Sequence, residues 1–214
     1  MQFIKNVAAI LLLLLAPAAF GAAKLQSVYL NNFCCAGVTY FGSVNLTEPA
    51  GHGGATVSLT SSNTAAMTCP ASVTIPQGSQ YVDLYCPSYP VTDSTYLTIS
   101  GTYKNTTVTH LVTVTPAFMS SFTVNGETVQ GGTDVYLAVV MNGLVANDTV
   151  ITLSGDNPSI TVPASLTVPG NTGSGTLLWT TPTVTSQQTV TITATQSWVG
   201  TSTITRTVTL TIVP

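Results

Sequence analysis

Charged side chains make up only 5% of this 214-residue chain, four Lys and Arg against seven Asp and Glu. So few cations leave no electrostatic footprint for nucleic acid or for an anionic membrane surface. Histidine is scarce too. His52 sits in a Gly-rich loop and His110 beside a strand, with no second histidine or acidic residue at ligand spacing, so both read as solvated. The acids Glu48, Asp83, Asp93, Glu127, Asp134, Asp148 and Asp156 are scattered. As a Ca²⁺ loop, Asp148 and Asp156 lack the EF-hand or nonapeptide pattern. There is no G-x-S-x-G, no H-E-x-x-H and no phosphate loop. The chain therefore does not read as an enzyme, and no catalytic residue, cofactor or metal site is expected. Outside the first 22 residues no segment sustains a helical period, which points away from helical folds.

The low charge does not mean disorder, because apolar and β-branched residues are abundant. Thr, Ser and Asn supply the outward polarity instead. Threonine suits this role, since its branched Cβ favours strands while its hydroxyl faces water. A surface this poor in charge is weakly guarded against edge-to-edge pairing, so association between copies stays open.

Residues 1–22 read as a secretory signal peptide. Lys5 supplies the positive start, Ala8–Phe20 an apolar run with Leu11–Leu15 at its centre, and Ala19-Phe20-Gly21 a small-x-small cleavage site. A membrane helix needs about 20 apolar residues, and this run is shorter and broken by Pro17. No second run of that length follows, so no membrane span is expected in the mature chain. No cysteine follows closely enough for lipid attachment. The expected location is secreted, periplasmic or cell-surface. Removing Lys5 with the leader leaves Lys24, Lys104 and Arg206 against the seven acids.

What the chain does have is repetition. Pro70-Ala71-Ser72-Val73-Thr74-Ile75-Pro76 returns as Pro163-Ala164-Ser165-Leu166-Thr167-Val168-Pro169, 93 residues later. Val57–Asn63 matches Ile151–Asn157, Leu97–Thr102 matches Val190–Thr195, and Val112–Pro116 matches Leu210–Pro214. The last offset is 98, which places five extra residues of the second copy between Thr195 and Leu210, in a surface loop. The repeated segments alternate apolar and polar side chains, the period of a strand with one buried face. Seven strands per copy follow. The first set lies near Leu25–Leu30, Gly42–Thr47, Ala55–Thr60, Ser72–Pro76, Tyr81–Tyr85, Tyr96–Thr102 and Thr109–Thr115. The second lies near Ser121–Asn125, Asp134–Val139, Thr149–Leu153, Ser165–Val168, Gly175–Trp179, Thr189–Thr195 and Thr203–Ile212. Gly-, Pro- and Asn-rich turns separate them. Seven short strands in about 90 residues match an immunoglobulin-like sandwich. The fold class is all-β: two tandem immunoglobulin-like β-sandwich domains, residues 23–116 with four cysteines and residues 117–214 with none, after the signal peptide. The joint at Pro116-Ala117 has almost no linker, which favours a stiff pair.

The stretch Pro49–Asn63 (PAGHGGATVSLTSSN), followed by Cys69–Gly78 (CPASVTIPQG), resembles the bacterial Ig-like repeat of secreted and cell-surface proteins. The second copy resembles it through Pro163–Pro169 and its closing Thr-rich strands. The resemblance covers nearly all of the mature chain and implies a spacer or adhesive module without shared catalytic residues. The chain departs from that pattern in carrying four cysteines in one copy and in having only two repeats.

Cys34, Cys35, Cys69 and Cys86 all fall in the first copy, and an even count in an exported chain favours disulfides. In the sandwich topology they should gather at one pole. Cys69 and Cys86 flank a hairpin expected near Gly78, and their bond would close a loop worth roughly 3 kcal/mol. Their counterparts Val162 and Trp179 read as core fillers. Adjacent Cys34 and Cys35 are left to bond each other, the other two, or another chain. A zinc site with four thiolates lacks its usual spacing of about two to four residues between paired cysteines.

Two further sets of residues stand out. His52, Tyr103, Lys104 and Asn105 are candidate ligand contacts at the free tip of the first domain, where a ring with Asn and Gly neighbours could stack on a sugar. The plainer reading of Tyr103 is a ring closing the sandwich edge. Trp198 and Val199 lie in the loop that holds the five-residue insertion and are candidate interdomain contacts, or else fold back on their own sandwich. The reading is a non-enzymatic secreted or surface protein, a stiff two-domain β rod for structure or adhesion. The alternative is a carbohydrate- or protein-binding module acting through the free tip. Partners are a surface protein, a glycan or other copies of the chain, with no nucleic acid. Non-reducing peptide mapping of the exported protein should recover Cys69 joined to Cys86, with Cys34 and Cys35 also oxidised. Four free thiols, or stoichiometric zinc, would contradict that expectation.

Overall fold

The computed structural model describes residues 22–31, 35–197 and 203–214. Residues 1–21 of the leader, Cys34, Trp198 and Val199 lie outside the described residues. Within them the chain forms fifteen strands and no helix. In chain order these are β1 Leu25–Leu30, β2 Thr39–Leu46, β3 Ala55–Ser61, β4 Ser72–Ile75, β5 Tyr81–Pro87, β6 Thr95–Tyr103, β7 Thr106–Val114, β8 Met119–Val124, β9 Thr128–Gln130, β10 Asp134–Met141, β11 Thr149–Gly155, β12 Ser165–Val168, β13 Ser174–Thr180, β14 Gln188–Ser197 and β15 Thr203–Val213. They build four sheets: β1-β2-β5 facing β4-β3-β6-β7, then β8-β10-β13 facing β12-β11-β14-β15-β9. This is a tandem of two immunoglobulin-like β-sandwiches.

The alternation read from the sequence is what separates inside from outside. Val57, Leu59, Ile75, Leu97, Ile99, Val112 and Val114 are buried in the first sandwich, and the repeat-equivalent Ile151, Leu153, Val168, Val190, Ile192, Leu210 and Ile212 in the second. The two cores are separate clusters, one running from Leu25 to Val114 and the other from Ala117 to Ile212. Tyr40 is fully buried in the first, and its hydroxyl donates to Thr113 O across the sandwich at 3.2 Å. Burial pushes its phenol pKa up, so the group stays a neutral donor.

The second sandwich has eight strands rather than the seven expected. The additional β9 is three residues long and runs parallel to β15, with Val129 opposite Ile212. Three residues between Gly126 and Gly131-Gly132 are too few to show a period of two, so it left no mark in the sequence pattern. His110 also differs from its expected solvated state. β1 and β7 meet at facing edges of the two sheets, so the imidazole is half-buried between them. Its Nε2 lies 3.0 Å from Leu30 O, and a carbonyl only accepts, so Nε2–H is the donor. The ring packs edge-on against Tyr29 at 5.3 Å.

The repeat also carries a latch. Ser62 Oγ accepts the Thr98 backbone N–H at 2.8 Å, while Ser62 N–H donates to Thr98 O at 3.0 Å. In the second sandwich Asp156 Oδ1 accepts from Thr191 N–H at 2.7 Å, while Asp156 N–H donates to Thr191 O at 3.2 Å. Beside each latch an Asn side chain caps the turn, Asn63 Oδ1 toward Ala65 N–H and Asn157 Oδ1 toward Ser159 N–H. The Thr191 amide lowers the Asp156 pKa. A depressed carboxyl contributes stability above its ordinary range and loses that contribution as pH falls through it. The second sandwich should therefore soften in acid, and Asp156→Ser should remove part of that softening. The first sandwich, latched by a hydroxyl, should not share this component. Thermal melts between pH 2.5 and 7 compare the two.

Candidate functional site

Three regions bear on function: the cysteine pole with the domain junction, the free tip, and the outer face of β1-β2-β5. At the pole Cys69 and Cys86 are bonded, with Cα atoms 4.4 Å apart. The hairpin expected between them does not exist, because β4 belongs to the sheet of β3 and β5 to the sheet of β2. Strand β4 is only four residues long, and the chain crosses from one sheet to the other through Pro76–Gln80. What aligns the two cysteines is a short antiparallel bridge, Met67 opposite Ser88, with Thr68 N–H donating to Pro87 O at 3.1 Å. In the second sandwich Trp179 is buried and Val162 packs beside the core, so bulk fills the place of the bond. Cys35 is buried and disulfide-bonded, and its partner is neither Cys69 nor Cys86, which bond each other. Ser88 Oγ lies 3.5 Å from Cys35 O, which sets Cys35 at the same pole.

That pole is also the joint between the sandwiches. Ala36 N–H donates to Thr115 O at 2.8 Å, and Ala36 O accepts from Leu144 N–H at 3.0 Å. Asn142 donates from its side-chain amide to Cys35 Sγ. The two backbones approach too closely here for side chains. A Cβ on Gly37, whose φ is +77°, would stand 2.5 Å from the Leu144 side chain, and one on Gly143 would collide with Ala36 O. The linker is held as tightly from the other side. Asn142 Oδ1 accepts from Phe118 N–H at 2.8 Å, Gln196 Oε1 from Met119 N–H at 2.6 Å, and Gln196 Nε2 donates to Ala117 O at 3.4 Å. Gln196 is itself 4% exposed, so these bonds are made away from water. Beside them an open cleft of about 360 Å³ is lined by Val91, Asp93, Pro116, Val145, Asn147 and Ser197. Sequence reasoning placed the interdomain contact on Trp198 and Val199. Gln196, two positions earlier, lines the cleft at the junction, but its bonds to Ala117 and Met119 stay within the second sandwich; the bonds that cross the joint are Leu144 N–H to Ala36 O and Asn142 Nδ2 to Cys35 Sγ.

At the free tip, the loop carrying His52 touches the Gln77-Gly78 loop through Gly78 N–H to Ala50 O at 2.9 Å and Ala50 N–H to Ser79 O at 2.8 Å. His52 is exposed. Tyr103 ends β6 and packs against the core, with Lys104 Nζ 5.0 Å from its ring centroid. Lys104, at φ 52°, and Asn105 form the exposed turn into β7. Tyr103 thus closes the sandwich edge, one face on the core and a cation near the ring.

The exposed rings lie elsewhere. Tyr29, Phe41, Tyr81 and Tyr85 all point outward from β1-β2-β5, between 46% and 58% exposed. Sequence reasoning passed over them, although the alternation Tyr81-x-Asp83-x-Tyr85 marks one outward row. Of the acids, Asp148 accepts from Gly170 N–H at 2.8 Å and Asp134 from Thr180 Oγ1 at 2.6 Å, both within the second sandwich. Among the described residues no three His, Cys, Asp or Glu side chains gather as a metal site.

Solved structures similar to this chain include the titin domains Z1Z2 in complex with telethonin, at 16% identity and a TM-score of 0.34, covering 90% of this chain and 95% of that one. Domains A168-A170 from titin are 13% identical with a TM-score of 0.42, covering 89% and 66% respectively. No protein-family model matches the chain, and no curated protein does.

Reducing the protein, or changing Cys69 and Cys86 to Ser, should lower the first sandwich's unfolding free energy by about 3 kcal/mol. A second transition, belonging to the cysteine-free sandwich, should stay where it was. Calorimetry of the full chain resolves the two, and equal shifts in both would contradict the assignment.

Proposed function

We propose that this chain is a non-enzymatic, exported structural or adhesion protein, a stiff two-domain β rod of the kind the bacterial Ig-like repeats form on secreted and cell-surface proteins. The observation that carries this reading is the joint. Thr115 to Met119 is hydrogen-bonded from the first sandwich through Ala36 and from the second through Asn142 and Gln196. Each of those bonds lies within one sandwich and fixes where the linker leaves it; across the joint Leu144 N–H donates to Ala36 O and Asn142 Nδ2 to Cys35 Sγ, and hinge motion would have to break these two. The leader pattern and the Cys69–Cys86 bond support export to an oxidising compartment. Surface rows of Thr and Ser suit a module that keeps its distance from neighbours and offers contact only at chosen patches.

Small-angle scattering tests the rod. The wild-type chain should give one narrow distribution of lengths. The double variant Asn142→Ala, Gln196→Ala should broaden it while both sandwiches stay folded by near-ultraviolet dichroism. An unchanged distribution would remove the basis for the stiff joint.

A further inference from the structure

The outer face of β1-β2-β5 is unlike the outer face of the sheet behind it. Behind, the outward rows are mostly hydroxyl-bearing, as in Thr56 opposite Thr74 and Ser58 opposite Thr102. In front, Phe41 on β2 stands directly opposite Tyr85 on β5. Tyr29 on β1 is one step diagonal from Phe41, since Asn31 N–H donates to Phe41 O and Tyr29 pairs with Ser43. Adjacent strands are ~4.8 Å apart, so three rings cross about 10 Å of sheet. They stand on a paired sheet rather than a loop, and Tyr29 is braced edge-on by His110. Next along the same face come the polar groups. Ser43 pairs with Asp83, and Asn45 with Tyr81. Asn45 Nδ2 spends both its hydrogens on Ser27 and Ser43, each at 3.0 Å, which leaves Oδ1 as an acceptor. Asp83 is exposed, an acceptor two residues from Tyr85 on the same face.

We propose that this face binds a neutral glycan chain, with sugar rings stacked on Tyr29, Phe41 and Tyr85 and sugar hydroxyls donating to Asp83 and Asn45 Oδ1. The proposal rests on the adhesion reading and names its contact surface. A pyranose has a C–H face that packs on an aromatic ring and a rim of hydroxyl donors, and the platform offers both complements side by side. Charge decides against the other occupants. A second copy laid on this face would bury Asp83 without a cation, a costly step. No cation neighbours Asp83 on the sheet, where it pairs with Ser43 between Tyr81 and Tyr85; beyond the leader the basic residues are Lys24, which precedes β1, Lys104, which lies over Tyr103, and Arg206, which donates to Ser120 O in the second sandwich. A glycan with carboxylate or sulfate groups would be repelled by the same carboxylate. The second sandwich supplies an internal control. Tyr136 stands opposite Leu178 at the register of Phe41 and Tyr85, but the outward positions matching Asp83 and Asn45 are Thr176 and Val140. It keeps the apolar pair but has a threonine hydroxyl in place of the carboxylate and no polar group in place of the amide.

Native affinity electrophoresis of the full exported chain tests this, using gels containing mixed-linkage β-glucan, xyloglucan, galactomannan or polygalacturonate, with pull-down on cellulose and chitin. At least one neutral polymer should retain the protein, and polygalacturonate should not. Phe41→Ala and Tyr85→Ala should each weaken retention about tenfold. Asp83→Ala should also weaken it, whereas Tyr136→Ala and Tyr103→Ala should leave it unchanged. Apart from Tyr103, which packs against the core, the side chains are exposed, so melting temperatures of those variants should stay near wild type and confirm folded proteins. Retention by no neutral polymer, or retention indifferent to Phe41→Ala and Tyr85→Ala, overturns the proposal. So does a dimer in ultracentrifugation that Tyr85→Ala dissolves, which would assign the face to a second copy. Each of these outcomes leaves the scattering test of the joint untouched, so the rod and the platform stand or fall separately.

Discussion

Each strand of this protein must hide one side, and the rest of the structure follows from that constraint. With 5% charged residues, ion pairs contribute little, and the fold relies on paired backbone ladders and on inward rows of Val, Ile and Leu. Burying one such side chain is worth roughly 1.5–3 kcal/mol. A single sheet cannot collect that, because its inward face would stay wet. Two sheets per repeat are the smallest answer, and each repeat closes over its own core. The seams are then closed by side chains that reach across sheet edges, His110 to Leu30 in the first sandwich and Arg206 to Ser120 in the second.

Within this shared plan the two copies solve the same local problems with different chemistry. The latch between β3 and β6 uses a hydroxyl at Ser62, and the equivalent latch between β11 and β14 a carboxylate at Asp156, and both accept the equivalent backbone amide. At the pole, one copy links Cys69 to Cys86 and the other fills the space with Trp179 and Val162. A covalent bond restricts the unfolded chain, whereas a buried indole gains from packing and dehydration. The first sandwich is thereby sensitive to reduction in a way the second is not.

The joint and the aromatic face divide the labour. Cys35, Ala36 and Gly37 of the first sandwich meet Asn142, Gly143 and Leu144 of the second, with two glycines allowing the backbones to touch. Gln196 secures the linker from behind. The ring-bearing face belongs to the first sandwich and uses strands that the joint does not bend. An exported rod with a rigid joint would present that face at a defined orientation, which is what a contact surface on a spacer requires.

How much of this was legible depended on the range of the interaction. Alternation is local, so Val57-x-Leu59 or Val190-x-Ile192 declares a strand and its buried side within a few residues, and the offset of 93 declares the second copy. The pairing of Cys69 with Cys86 was legible as well, but for an incomplete reason, because a turn near Gly78 says nothing about which sheet each flanking strand joins. Sheet membership is decided by distant partners, β3 for β4 and β2 for β5, and so is the clustering of Tyr29, Phe41 and Tyr85, which are remote in sequence and neighbours only once register is set. Gln196 looked like one polar residue in a loop. Its burial against Ala117 and Met119 of its own sandwich exists only because the fold brings the start of β8 beside the end of β14. The sequence by itself determined the strands other than β9, their inward faces, the repeat and the oxidised character of the first copy, since each rests on neighbours along the chain. The tertiary structure alone decided the joint, the half-buried state of His110 and the aromatic face, since each is made by groups that meet only after sheets pair and pack.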